Sequence, residues 1–498
     1  MNKEVNLTHK TFSGTIYLVS SGGIQIILKI GVMAVLARLI SPNEYGLVGI
    51  AVIIVEFSKL FSQMGVGPCI VQRKELEDRH LTTGFTISMI MGLCFAGILI
   101  LTAPFFEQFF RMKGLTAVLR AVSVVFLVCS ITITGQALMQ RSMKFKLIAI
   151  QEVVSYAIGY GLVGIILGYM GFGAWALVIA NITQAVMNAI MVMIVQPFSK
   201  KPGFELKAFK ELMYFGGGFT LARIGNFLAI QGDNMVVGRT LGAAALGLYG
   251  RAYQFMVMPS SLFGNALDRT LFPAMARVQD DKKRLEKAYL AGTSLIALVA
   301  IPISVLFIFL APEIILITLG KKWMDVVSPF RILAFSLLFR MSYKMSDSMA
   351  RATSAVYKRA WRQMVYAVAV FGGAYIGHFW GLSGVAFGVA VSLVINFILM
   401  SQLSIQLAGV TWTQIIKAHW DGILVGSLTA VVTLLLTSIC RGLSVHPIVT
   451  FLVTTIGVGC LLFAALKTYP TFFIREDQRV LINKLVLKRF KKPLIQAA

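Results

Sequence analysis

Runs of about twenty apolar residues recur along the whole chain, and no connection between them exceeds about 20 residues. A helix rising 1.5 Å per residue needs about 20 apolar residues to cross a hydrocarbon layer roughly 30 Å thick. Roughly fourteen runs qualify: 15–37, 45–67, 82–106, 115–138, 150–169, 173–196, 211–232, 243–266, 288–311, 328–351, 361–379, 382–405, 418–440 and 447–467. In lipid every backbone N–H and C=O must pair inside the protein, so long continuous apolar runs are helices. The 13% of charged residues and the mean hydropathy of +0.80 fit this. A soluble chain carries about 25% charged residues. The fold class is all-α integral membrane. No cleavable signal peptide is expected, because residues 1–15 are polar and the first apolar run leads on into further spans.

This layout excludes several classes of function. No loop could hold an independent core, which disfavours an enzyme with a large external catalytic domain. The five cysteines sit singly in apolar runs and the five histidines do not cluster, so neither a disulfide framework nor a metal site is expected. The glycine pairs and triplet (Gly22-Gly23, Gly216-Gly217-Gly218, Gly372-Gly373) lie inside spans with no P-loop Lys-Ser/Thr behind them, so they read as helix packing. There is no ATP motif and no nucleophile–base pairing, and no cofactor is expected. The net charge of +25 has no soluble domain on which to hold nucleic acid. It points to topology signals in loops and to a path for an anionic substrate. With the N-terminus inside, Lys and Arg favour the inner connections over the outer ones by roughly four to one. Both termini are therefore expected in the cytoplasm. The tail, residues 475–492, reads either as a basic interfacial helix or as a solvated end.

An internal repeat is visible. Ala37–Leu47 (ARLISPNEYGL) matches Gly238–Leu248 (GRTLGAAALGL) at an offset of 201, pairing Arg38 with Arg239 and Gly46 with Gly247. Gly173-Ala174 matches Gly384-Val385, and Arg120 matches Arg331, at an offset of 211. The offset equals six spans, so the halves run parallel, an arrangement of transporters with a site between the halves. The expected organisation is a bundle at 1–205, a second at 206–410, two further spans at 411–470 and the tail at 471–498.

Charges inside spans are the candidate functional residues, because a charge at the bilayer centre costs roughly 2.5–3.5 kcal/mol on insertion scales. Arg340, Lys344, Asp347 and Arg351 follow at spacings of four, three and four, which places them on one helix face. One anion cannot satisfy three cations, so this stripe reads as the wall of a wet electropositive cavity. The competing reading has Asp347 neutralising Lys344 or Arg351 while Arg340 snorkels. Lys29 in span one, Arg223 in span seven and Arg251 in span eight add cations. Arginine holds phosphate or carboxylate bidentately and lysine acts as a point charge. Glu56 and Lys59 are three apart and either pair within the helix or leave Glu56 as a protonatable coupling site. Asp233 and Asp347 are the other coupling candidates.

Three segments resemble a known family: Ala34–Leu47 (AVLARLISPNEYGL), Gly65–Gln72 (GVGPCIVQ) and Gly171–Val178 (GFGAWALV). They are similar to Wzx-type lipid-linked oligosaccharide flippases of the multidrug/oligosaccharidyl-lipid/polysaccharide (MOP) superfamily, in its colanic-acid-exporter-like branch. The resemblance implies two pseudo-symmetric six-helix bundles around a central cavity, two C-terminal helices, and alternating access. It implies a multi-pass protein of the bacterial inner membrane that moves undecaprenyl-diphosphate oligosaccharides for lipopolysaccharide or exopolysaccharide synthesis. The implied partners are that lipid, membrane lipid, and a polysaccharide polymerase with its chain-length regulator. The cavity assignment of Lys29, Arg223, Arg251, Arg340 and Lys344 rests on position and charge, and the meeting of spans one, two, seven and eight at one space rests on the resemblance. Two alternatives stay open: a cation-coupled drug antiporter of the same superfamily, and a non-transporting component of a polysaccharide assembly complex.

Overall fold

A computed structural model describes residues 23, 25–63, 65–73, 75–196 and 203–468, with the side chains of 212–222, 265–270, 273–274, 465–466 and 468 left out. The basic segment 475–492 lies outside the described residues. Those described are helical almost throughout, and no strand occurs among them. Among them, nine helical stretches are long and apolar enough to cross a membrane by length and composition. One of these, Val356–Ala408, holds two helices joined by a short 3₁₀ turn. The chain is a multi-pass membrane protein. The other expected spans coincide with 25–39, Leu206–Thr240, Gly242–Ala276 and the pair Val327–Phe335 and Leu337–Ala352, which fall short of that length or apolarity.

Two compact units form. The first comprises Met1–Arg251 with Thr318–Trp323, and the second Ala252–Ile317 with Met324–Ala498. Helices α1 (25–39), α2 (Pro42–Ser62), α3 (Val66–Gln72), α4 (Asp78–Phe110), α5 (Leu115–Val122) and α6 (Val124–Arg141) open the first unit. Helix α7 (Phe145–Tyr156) runs through a π-helical segment, Ala157–Gly164, into α8 (Ile165–Tyr169), and α9 (Ala174–Val195) and α10 (Leu206–Thr240) follow. Helix α11 (Gly242–Ala276) begins in the first unit and ends in the second. The packing division thus falls later in the chain than the repeat boundary expected at 205/206. The reason is that α10 packs on α2, α3 and α4.

The repeated segment is where the first unit closes on itself. A Cβ on Gly46 would run into the Ala243 carbonyl, and a Cβ on Gly247 into the Pro42 carbonyl. Each contact is the other shifted by the repeat offset, as across a two-fold axis. Only glycine allows the two helix starts to approach so closely. Other motif residues are structural as well. Ser41 and Glu44 form a capping box at the start of α2, with Ser41 N–H donating to Glu44 Oε2 at 2.8 Å. The Glu44 carboxylate lies where a Cβ on Gly173 would be. Tyr45 meets Trp323 edge-on at 5.4 Å, and the Trp323 indole N–H donates to the Ala37 carbonyl at 2.7 Å.

In the second unit, α12 (Lys282–Phe309) packs along α18 (Trp412–Gly442). Between them in sequence come α13 (Ala311–Thr318), α14 (Val327–Phe335), α15 (Leu337–Ala352), α16 (Val356–Gly377) and α17 (Gly381–Ala408), and α19 (Pro447–Thr468) closes the described chain. The α16–α17 hairpin is drawn together by two antiparallel glycine pairs, Gly373 with Gly388 and Gly377 with Gly384. Arg441 clasps Glu313 through Nε at 2.8 Å and Nη2 at 2.9 Å, and also donates to the Phe309 carbonyl. That bidentate pair ties the end of α18 to α13.

Candidate functional site

Helix α15 is sharply two-faced. Leu337, Met341, Met345 and Met349 are buried in an apolar cluster with Leu285, Tyr289 and Ile296 of α12, at helical spacing. Arg340, Lys344, Asp347 and Arg351 lie on the remaining face and are half-buried. The predicted stripe therefore forms. Its members divide into two groups.

Arg340 Nη1 donates to the Tyr253 hydroxyl at 2.9 Å, and its guanidinium stands 5.1 Å from the Tyr253 ring centre. Lys344 Nζ donates to the Ser260 carbonyl at 2.7 Å, one helical face along α11 from Tyr253. Both of these partners are uncharged. Asp347 instead takes Arg351 at 3.2 Å and also Arg359, at the start of α16. Its ion-pair partners are thus Arg351 and Arg359. Lys344, one of the two partners expected from spacing, turns to α11. Arg359 was not singled out in the sequence because the expected spans 328–351 and 361–379 leave it between them, whereas it lies in the first turn of α16.

The candidates of the first unit have separate settings. Lys29 lies 5.7 Å from the Tyr156 ring. Arg251 stacks over Tyr45 at 4.3 Å. Asp233 is buried and accepts from the Tyr249 hydroxyl at 2.7 Å and from the Asn234 N–H at 2.8 Å. Arg223 is exposed and donates to Gln63 Oε1 at 3.4 Å. Glu56 and Lys59 form the helical pair, at 2.7 Å.

That pair borders a polar cavity of about 260 Å³ among α2, α6 and α9. Each helix contributes one face: Glu56 and Lys59 from α2, with Gln63 just past its end; Cys129, Thr132 and Gln136 from α6; Asn181, Gln184 and Asn188 from α9. Gly159 in the π-helical segment has no room for a Cβ against the Ala180 carbonyl and Gln184, so it lets α9 come close. Asn188 Oδ1 accepts from Gln136 Nε2 at 3.3 Å and from Gln151 Nε2. Asn181 Nδ2 donates to the Tyr160 hydroxyl at 3.2 Å. The sequence reading noted Gln63 beside Glu56 and Lys59 but centred on charges, and passed over Gln136, Asn181, Gln184 and Asn188. The signal was there: Asn181, Gln184 and Asn188 are spaced three and four apart within an otherwise apolar span.

A model of the family described as "Polysaccharide biosynthesis protein" matches residues 35–328. The teichuronic acid biosynthesis protein TuaB of Bacillus subtilis (strain 168) is 23% identical over 472 residues, covering 93% of this chain and 97% of its own. The lipopolysaccharide biosynthesis protein WzxC of Escherichia coli (strain K12) is 25% identical over 447 residues, covering 88% and 90%. Among solved structures, the lipid II flippase MurJ in an inward closed conformation superposes with a TM-score of 0.74 at 14% identity, over 92% of this chain and 99% of MurJ. At that identity the likeness establishes the fold alone: the chain has the helical membrane fold that MurJ has. With more than half its length matched by the family model, the chain belongs to the polysaccharide biosynthesis protein family.

Proposed function

We propose that the protein is a flippase that carries an undecaprenyl-diphosphate oligosaccharide from the inner to the outer leaflet of the bacterial inner membrane. Both termini would be cytoplasmic, two six-helix halves at 1–205 and 206–410 would alternate access, and residues 411–470 would add two spans. The observation that carries this reading is Arg340: a half-buried guanidinium on a membrane helix, held by the phenol of Tyr253. Asp347 of the same face already serves Arg351 and Arg359. Tyrosine positions a cation without neutralising it, which leaves its charge for a ligand anion. A diphosphate is the anion that a lipid-linked saccharide brings. The names of TuaB and WzxC support the polysaccharide context, and that of MurJ supports lipid-linked cargo.

In this reading Lys29, Arg223, Arg251, Arg340 and Lys344 hold the anionic head group in turn while the polyprenyl tail stays in lipid. Glu56, Asp233 and Asp347 are the carboxylates on which an ion gradient would act. The chemistry is binding and reorientation, with no bond made or broken. An exporter of cationic drugs would want carboxylates where α15 carries arginine and lysine. The test is reconstitution in vesicles with a fluorescent undecaprenyl-diphosphate oligosaccharide. Protein-dependent appearance of the label in the outer leaflet supports the flippase, and none under pH, sodium or voltage gradients contradicts it.

A further inference from the structure

We infer that the amide-lined cavity among α2, α6 and α9 is a subsite for a single uncharged sugar ring, the one next to the diphosphate. The inference rests on the flippase reading and adds to it a site for the sugar, apart from the cations.

The charge in the lining cancels. Glu56 and Lys59 pair with each other at 2.7 Å, so neither sign of ligand is favoured. The other polar groups, Gln63, Thr132, Gln136, Asn181, Gln184 and Asn188, are neutral. A carboxamide offers donors and an acceptor on one planar group, which matches a hydroxyl or acetamido group that also does both. Helix–helix glue would give the same residue types, and part of the cluster serves that role, through Asn188. Glue fills the space between helices, whereas these side chains line an open volume of about 260 Å³. It has room for one pyranose ring. Polar space of this size inside an apolar bundle is costly unless it is filled by water or ligand.

Position supplies the order of the parts. Gln63 lines the cavity and also accepts from Arg223, one of the proposed phosphate cations. A diphosphate on Arg223 would place its first sugar at the cavity, with later sugars outside. The subsite would then read the first sugar and tolerate variety beyond it.

The test is equilibrium binding to the full-length protein in nanodiscs. The probes are bare undecaprenyl diphosphate and the same lipid carrying one glucose, galactose or N-acetylglucosamine. The proposal expects at least one monosaccharide lipid to bind about tenfold tighter than the bare lipid, the worth of one or two net hydrogen bonds. Gln184→Leu and Gln136→Leu should each erase that advantage without changing bare-lipid affinity. Each variant is scored only with an unshifted Tm, and two are used so that one misfolded variant does not decide the outcome. A second readout is Cys129, which lines the cavity. With the exposed Cys94 and Cys460 changed to Ser, a small thiol reagent should label Cys129, and the preferred lipid should slow it. Equal binding of bare and sugar lipids, or an advantage that survives both variants, overturns the subsite and leaves the flippase standing. Binding of neither lipid overturns both.

Discussion

The α2–α6–α9 cavity and the charged face of α15 answer the same question in different ways: how a polar surface is kept inside a membrane protein. In the cavity, the two charges are three residues apart and cancel, and the remaining polar groups are amides. On α15 the charges have mixed partners. Asp347 is shared by two arginines while Arg340 leans on tyrosine and Lys344 on a carbonyl. The first arrangement is suited to neutral hydroxyl-rich chemistry and the second to an anion. A lipid-linked saccharide has one part of each kind.

This contrast can be broken at several points. The largest stability effect is expected at Asp347. Asp347→Ala leaves Arg351 and Arg359 side by side, and removing one partner of a buried pair costs about 3–5 kcal/mol. Solvent reaches these side chains, so about 2 kcal/mol is the discounted figure. A thermal melt in detergent measures it, and an unchanged Tm would show that the triad does not hold α15 to α16. Next comes Asn188→Ala. It takes the shared acceptor from Gln136 and Gln151 and should cost about 1–2 kcal/mol by unpairing buried amide donors. A Tm unchanged within error would mean that water replaces Asn188 freely. Ser41→Ala, which removes the cap of α2, should cost about 1 kcal/mol without altering lipid binding. It is a control for general loosening of the first unit. The smallest effect belongs to Glu56 and Lys59. A double-mutant cycle with Glu56→Gln and Lys59→Met should return a coupling of about 0.5 kcal/mol, because Glu56 is half-exposed. A coupling several times larger would mean that the pair is not the cancelled, solvated element described above.

The sequence made the membrane class, the position of nearly every helix and the α15 stripe legible, because each depends on local apolarity or on a 3.6-residue period. The repeat was legible in a few identities, and its physical meaning appears in the reciprocal Gly46–Ala243 and Gly247–Pro42 contacts. Partners distant in sequence were not legible. Nothing in the spacing joins Asp347 to Arg359 across a connection, Asp233 to the hydroxyl of Tyr249, or Arg340 to Tyr253. The cavity amides other than Gln63 were missed for a different reason. Uncharged polar residues cost less in a membrane than charges, so a reading that weighs cost alone passes over them.

The most direct test of the account is the rate of lipid movement in reconstituted vesicles for Arg340→Gln and Lys344→Gln, alone and together, at matched protein insertion and Tm. Each keeps hydrogen-bonding capacity and removes a charge. The prediction is a loss of at least about tenfold for Arg340→Gln, from the loss of one charge-assisted contact to phosphate. The double variant should be slower still, with Ser41→Ala close to wild type. Movement at the wild-type rate in the double variant would contradict the claim that the α15 cations hold the head group.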